Sequence, residues 1–147
     1  MSAAAEKNHI YCFGVNHKKT PLALREEIFL NVTEQKLLLS ELKCYPQILE
    51  AFVLSTCNRV EIYINALEPS AYLFPLVFDK LVAVKPNVHV DEIKKCFFQF
   101  YQEDAIKHLF NVAAGLDSLV LGEKQILGQV KDAVDLARSM NWLSTCF

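Results

Sequence analysis

No Gly-x-Gly-x-x-Gly fingerprint follows a candidate strand anywhere in the 147 residues, so nothing here can cradle the pyrophosphate of a nicotinamide dinucleotide. Charge of one sign is lacking too. Fifteen basic and seventeen acidic side chains leave a formal −2, which gives no global attraction to nucleic acid and confines any polynucleotide contact to a local basic patch. The five cysteines, Cys12, Cys44, Cys57, Cys96 and Cys146, form no Cys-x-x-Cys pair and no metal-type spacing, which fits a reducing compartment best. No apolar run approaches a membrane span, and "MSAAAEKNHIY" lacks the basic-then-apolar order of a signal peptide. Internal repeats and low-complexity stretches are also missing.

What the sequence does have is apolar mass. With 52% hydrophobic residues, ten Phe and five Tyr, it can bury a sizeable core, which argues against disorder beyond a leader at residues 1–9. "HIYCFGVNH" reads as a first strand and "KKTPL" as a loop broken by Pro21. A short helix is expected around Leu22, Leu24, Ile28, Phe29 and Leu30. A clearer one follows, capped by Thr33, with Leu37, Leu38, Leu39 and Leu42 as its buried face.

"AFVLSTC" and "RVEIYINAL" read as two strands, the second alternating Val60, Ile62 and Ile64 with Glu61, Tyr63 and Asn65. Pro69 to Val84 is helix-like, either kinked at Pro75 or starting there. "CFFQFY" is a fourth strand. Asp104 then caps an amphipathic helix with the stripe Ile106, Leu109, Phe110, Ala113 and Leu116. A last helix from about Gly122 carries Ile126, Val130, Ala133, Val134, Ala137 and Met140. The order β-α-β-β-α-β followed by helices is that of an α+β, ferredoxin-like split βαβ sandwich, which by itself names no function.

The informative stretch is "LSTCNRVEIY", where Thr56, Cys57, Asn58 and Arg59 stand at the junction of two strands. A thiolate attacks acyl carbons well, a nearby cation such as Arg59 favours it, and strand ends are where scaffolds expose reactive groups. The plainer reading is a buried cysteine closing a hairpin, the reading given to Cys12, Cys44 and Cys96 as small core hydrophobes.

"LSTCNRVEIY" together with "HLFNVAAGLDSLVLGEKQILGQVKDA" closely resembles the N-terminal catalytic domain of glutamyl-tRNA reductase, and "GVNHKKTPLALRE" is similar to that family's opening. Three motifs in order carry the resemblance from about Ile10 to Ala137. It implies reduction of the glutamyl ester on tRNA to glutamate-1-semialdehyde, the entry to tetrapyrroles such as haem and chlorophyll. By that match Cys57 is the nucleophile that forms a glutamyl thioester, Arg59 holds a substrate carboxylate, and Thr56 and Asn58 bond the aminoacyl group. His108 matches a histidine near the family's active site, as general base or thiolate partner; without the resemblance it reads as a half-buried helix histidine. Ser118, Glu123, Lys124, Gln125 and Gln129 match substrate-lining positions, with Lys124 standing where the family commonly has proline. His17, Lys18 and Lys19 either approach the tRNA acceptor end or form a solvated basic loop.

The resemblance further implies NADPH as cofactor of the full enzyme, bound by a later domain and not by this chain, and no metal. The implied organisation is a catalytic domain over 10–117 and, over 118–147, a substrate-lining segment leading into a long linking helix. The implied partners are glutamyl-tRNA and, for the full enzyme, glutamate-1-semialdehyde aminomutase or regulatory proteins, with no DNA. A homodimer is expected of the full enzyme and a monomer of this chain, in cytoplasm or plastid stroma. A chain of this length, whether a piece or a short natural form, can perform at most the acyl-transfer or esterase half. The alternatives are a module that binds glutamyl-tRNA or a partner without catalysis, and a plain interaction domain with a structural cysteine.

Overall fold

The computed structural model describes residues 8–116 and 126–142. Four strands, β1 (His9–Asn16), β2 (Ile48–Ser55), β3 (Arg59–Ala66) and β4 (Phe98–Tyr101), make one antiparallel sheet in the order β2-β3-β1-β4. Because β3 runs antiparallel to both β1 and β2, those two are parallel with β3 between them, the split βαβ arrangement expected from the element order.

Helices lie on both faces. On one, Phe13 of β1 meets Phe74 of α3 (Leu73–Val84) at 5.5 Å between ring centroids, and Leu38, Leu39 and Leu42 of α2 (Val32–Leu42) join the same core. On the other, Phe98 and Phe100 of β4 pack on His108 of α5 (Glu103–Ala113), while Leu54 of β2 packs with Ile126 and Ala133 of α6 (Ile126–Ser139). The alternation along β3 is therefore real but does not mark a wet face: all eight of its residues are buried, apolar ones toward α3 and polar ones beneath α5. Gly14 permits close approach of β1 and β3, since a Cβ there would stand 2.4 Å from the Val60 carbonyl oxygen.

Helix ends differ from the sequence reading for identifiable reasons. The cap of α2 is Asn31, not Thr33: its Oδ1 accepts from the Glu34 N–H at 2.9 Å while Glu34 Oε1 accepts from the Asn31 N–H at 3.0 Å, a reciprocal box that Thr33 does not make. Leu37 falls outside the buried face, at 54% exposure. Pro75 lies in the first turn of α3, where its missing N–H has no intrahelical role, so the helix starts beside it rather than kinking.

Cys96 and Phe97 leave the expected fourth strand. Cys96 ends α4 (Val90–Cys96), a turn with Asp91 and Glu92 at its positive end and Lys94 and Lys95 at its negative end. Gln102, not Asp104, precedes α5, at φ 53°, and extends the pairing of β1: its N–H donates to Ile10 O at 2.7 Å and its Oε1 accepts from Ile10 N–H at 2.9 Å. The stripe predicted for α5 is rotated off the core. Ala105, His108 and Val112 face in, whereas Phe110 and Leu116 are 71% and 77% exposed. A buried acid on β3, described below, draws the histidine inward. The apolar stripe of α6 does face in, with Ile126, Ala133 and Ala137 buried, and beyond it the Trp142 indole N–H donates to Leu39 O at 2.8 Å.

Candidate active site

The β2–β3 junction is a tight turn closed by a backbone bond and braced by its own side chains. Thr56 N–H donates to the Arg59 carbonyl at 2.8 Å, and Asn58 N–H donates to Thr56 Oγ1 at 3.1 Å. Ser55 Oγ accepts from the Leu30 N–H at 2.9 Å and pins the turn to the chain leaving α1 (Leu22–Ile28). Thr56 is thereby buried at 4% exposure, and Cys57 is left exposed at the tip. It forms one wall of a shallow cleft of about 350 Å³ shared with Leu22, Arg25, Glu26 and Phe29.

Arg25 is the cation that the structure places at this turn. Its Nη1 donates to the Cys57 carbonyl at 3.3 Å and to Asn58 Oδ1 at 3.2 Å, and its Nε donates to the Thr20 carbonyl at 3.1 Å. Arg59, two residues from Cys57, turns the other way: its side chain is fully buried, with Nη1 2.9 Å from Glu61 Oε2.

Glu61 is the hub of a chamber under α5. Besides Arg59 it receives His108 Nε2 at 2.7 Å on Oε2 and the Tyr63 hydroxyl at 2.6 Å on Oε1. A carboxylate paired with a guanidinium can only accept, so the imidazole proton sits on Nε2. Deeper in, Cys12 is fully buried, and desolvation, reinforced by the charge of Glu61, holds its thiol well above the ordinary range. Burial raises the Tyr63 phenol likewise, with Cys12 and Glu61 adding to it.

The ligating atoms of Cys12, Glu61 and His108 lie within 4.8 Å of one another. A divalent ion there would compete with the Arg59 cation for Glu61, so this donor set suits the hydrogen-bonded network it already forms better than a metal.

Of the residues singled out by sequence, Thr56, Cys57 and Asn58 stand together at the turn, while the Arg59 side chain turns inward and meets His108 through Glu61. Gln129 is exposed on α6 and lines a separate groove with Leu30, Asn31 and Ser55. Ser118, Glu123, Lys124 and Gln125 lie outside the described residues. His17 is half-buried, and Lys18 and Lys19 are exposed in the loop after β1.

Sequence reasoning missed Arg25, Glu61, Tyr63 and Cys12 as parts of the site. Glu61 had a readable signal, an acid two residues from Arg59 and so on the same strand face. Arg25 stood within the opening motif, but nothing local pointed it at the turn, because Cys57 and Asn58 lie 32 and 33 residues further along the chain.

The profile described as "Glutamyl-tRNAGlu reductase, N-terminal domain" matches residues 13–147. The chain belongs to this family. It is similar to the glutamyl-tRNA reductases of Syntrophus aciditrophicus, at 40% identity over 84% of this chain and 29% of that protein, and of Acidothermus cellulolyticus, at 42% over 88% and 27%. A solved structure, "Glutamyl-tRNA Reductase from Methanopyrus kandleri", superposes with a TM-score of 0.69 at 26% identity, covering 92% of this chain and 30% of that one. The chain thus spans about three tenths of the length of these relatives. Among its described residues no helix is long and apolar enough to cross a membrane.

Proposed function

We propose that this glutamyl-tRNA reductase-family domain carries out the acyl-transfer step, with the ester of glutamyl-tRNA as substrate and Cys57 as nucleophile. The observation that carries the reading is the exposed Cys57 thiol at the tip of a turn braced from both sides, in a cleft that admits a substrate. The Cys57 thiolate attacks the acyl carbon, a C–S bond forms, the ester C–O bond breaks, and the ribose hydroxyl leaves with a proton. Water attacking the thioester then returns glutamate and free thiol. A thioester carbonyl, with weak resonance donation from sulfur, is also the better hydride acceptor.

The resemblance implies NADPH as hydride donor of the full enzyme, but the residues described here do not fit a nicotinamide dinucleotide. The sheet is antiparallel, with no Gly-rich turn leading from a parallel strand into a helix, and Gly14 backs onto β3. Reduction is therefore assigned to no residue of this chain. Arg59 is proposed as the carboxylate clamp of the glutamyl group, supported from behind by Glu61 and, through Glu61, by His108. Since its side chain is buried, substrate entry has to uncover it. Thr56 and Asn58 shape the turn and flank the acyl group.

The test is intact-protein mass after brief acid quench with glutamyl-tRNA, beside Cys57→Ser. A glutamyl adduct on the wild-type chain, absent from the variant, is expected. tRNA binding with neither adduct nor cysteine-dependent release of uncharged tRNA would favour a recognition module instead.

A further inference from the structure

We propose that Arg25 is a positioning residue for acyl transfer at Cys57, an inference that rests on the acyl-transfer reading above. The reactive segment lies outside regular structure: β2 ends at Ser55 and β3 begins at Arg59, and the backbone bond from the Thr56 N–H to the Arg59 carbonyl closes the turn around Cys57 and Asn58. Side chains add to it from both sides. Thr56 Oγ1 takes the Asn58 N–H from within the turn, and the Arg25 guanidinium takes the Cys57 carbonyl and Asn58 Oδ1 from outside.

The same guanidinium holds Thr20 O through Nε. One planar group thus ties the loop after β1 to the nucleophile's own peptide, and it orients the Asn58 amide with its oxygen toward Arg25. Five donors in a rigid plane suit this task; a lysine ammonium is a point charge that cannot hold three acceptors in one plane. Small misplacement of a reacting group is costly, about a hundredfold in rate for an error of about 1 Å. Arg25 donates to backbone and amide oxygens, so its part is to hold Cys57 in an attacking geometry rather than to touch the acyl group.

The experiment compares the 147-residue chain with Arg25→Gln and Arg25→Lys in three measurements: the limiting rate of Cys57 acylation at saturating glutamyl-tRNA, the rate of Cys57 alkylation by iodoacetamide, and NMR of the Asn58 side-chain amide and the Trp142 indole. Arg25→Gln is expected to lower limiting acylation at least about tenfold with half-saturation nearly unchanged, and Arg25→Lys to fall between. The Asn58 amide signals should move while Trp142, far from the turn and bonded to Leu39, stays in place. Alkylation should stay within about threefold, because a small reagent needs no bound geometry.

Acylation at the wild-type rate in Arg25→Gln overturns the proposal, as do unmoved Asn58 signals or a shift of the Trp142 signal in both variants, which would mark a general structural role. A wild-type chain that forms no adduct fails earlier, and overturns the acyl-transfer reading itself together with this one.

Discussion

Cys57 and Cys12 sit at the two ends of one polar path and have opposite fates. Cys57 stands exposed on a turn whose polar groups are occupied in holding the turn's shape. Cys12 lies in the chamber under α5, fully buried, its thiol kept protonated by desolvation and by Glu61. Between them run Arg59 and Glu61, buried and paired. The contrast teaches that a thiol's opportunities are set by where the fold leaves it: the same side chain is open to reagents at a strand end and is a small apolar filler within the sheet.

The sharpest way to break the comparison is to remove one thiol. Cys57→Ser should abolish the glutamyl adduct, a loss of more than about a thousandfold measured by quench and mass, while stability by urea unfolding stays within about 0.5 kcal/mol. Cys12→Ala should leave adduct formation in place.

Next in size is the chamber. Glu61→Ala removes a buried charged partner of Arg59 and the acceptor of His108 and Tyr63, so a loss of about 3 kcal/mol is expected from urea unfolding. An unchanged midpoint would mean that the chamber is not a structural support for the turn.

The pH dependence sharpens the contrast further. The Cys12 thiol is raised in the folded chain above its ordinary value of 9.0, so the folded state keeps a proton that the unfolded state releases. The stabilisation is therefore fully present below about pH 9 and drawn down above it, by up to about 1.4 kcal/mol per pH unit. Urea midpoints at about pH 8 and about pH 10.5 should diverge less in Cys12→Ala than in wild type.

The smallest effect belongs to a residue outside both regions. Asn31→Ala breaks the capping box of α2 and should cost about 1 kcal/mol in thermal or urea unfolding without altering the reactivity of either cysteine.

Much of this was legible in the sequence. The strands around "LSTCNRVEIY", the inward stripe of α6 and the β-α-β-β-α-β order follow from local periodicity and from prolines at element ends, which are properties of neighbouring residues. The Cys57 turn was legible for the same reason, and the family match rests on contiguous motifs. The helix starts at Asn31 and Gln102 were not, because one depends on a reciprocal bond with Glu34 and the other on pairing with Ile10 of β1. Nor was the inward face of α5: its apolar stripe predicts one rotation, but a buried acid on a neighbouring strand selects another and leaves Phe110 in solvent.

By itself, then, the sequence determined the kind of fold and the place of Cys57 at a strand junction, since both are written in short-range pattern. Only the tertiary structure decided which cation serves which partner. Arg59, nearest Cys57 in the chain, turns inward to Glu61, and Arg25, on a helix before β2, reaches the turn. The reason is geometric: Arg59 opens β3 and shares a strand face with Glu61 two residues on, whereas Cys57 lies in the turn before the strand, and the packing of other elements supplies what stands beside it.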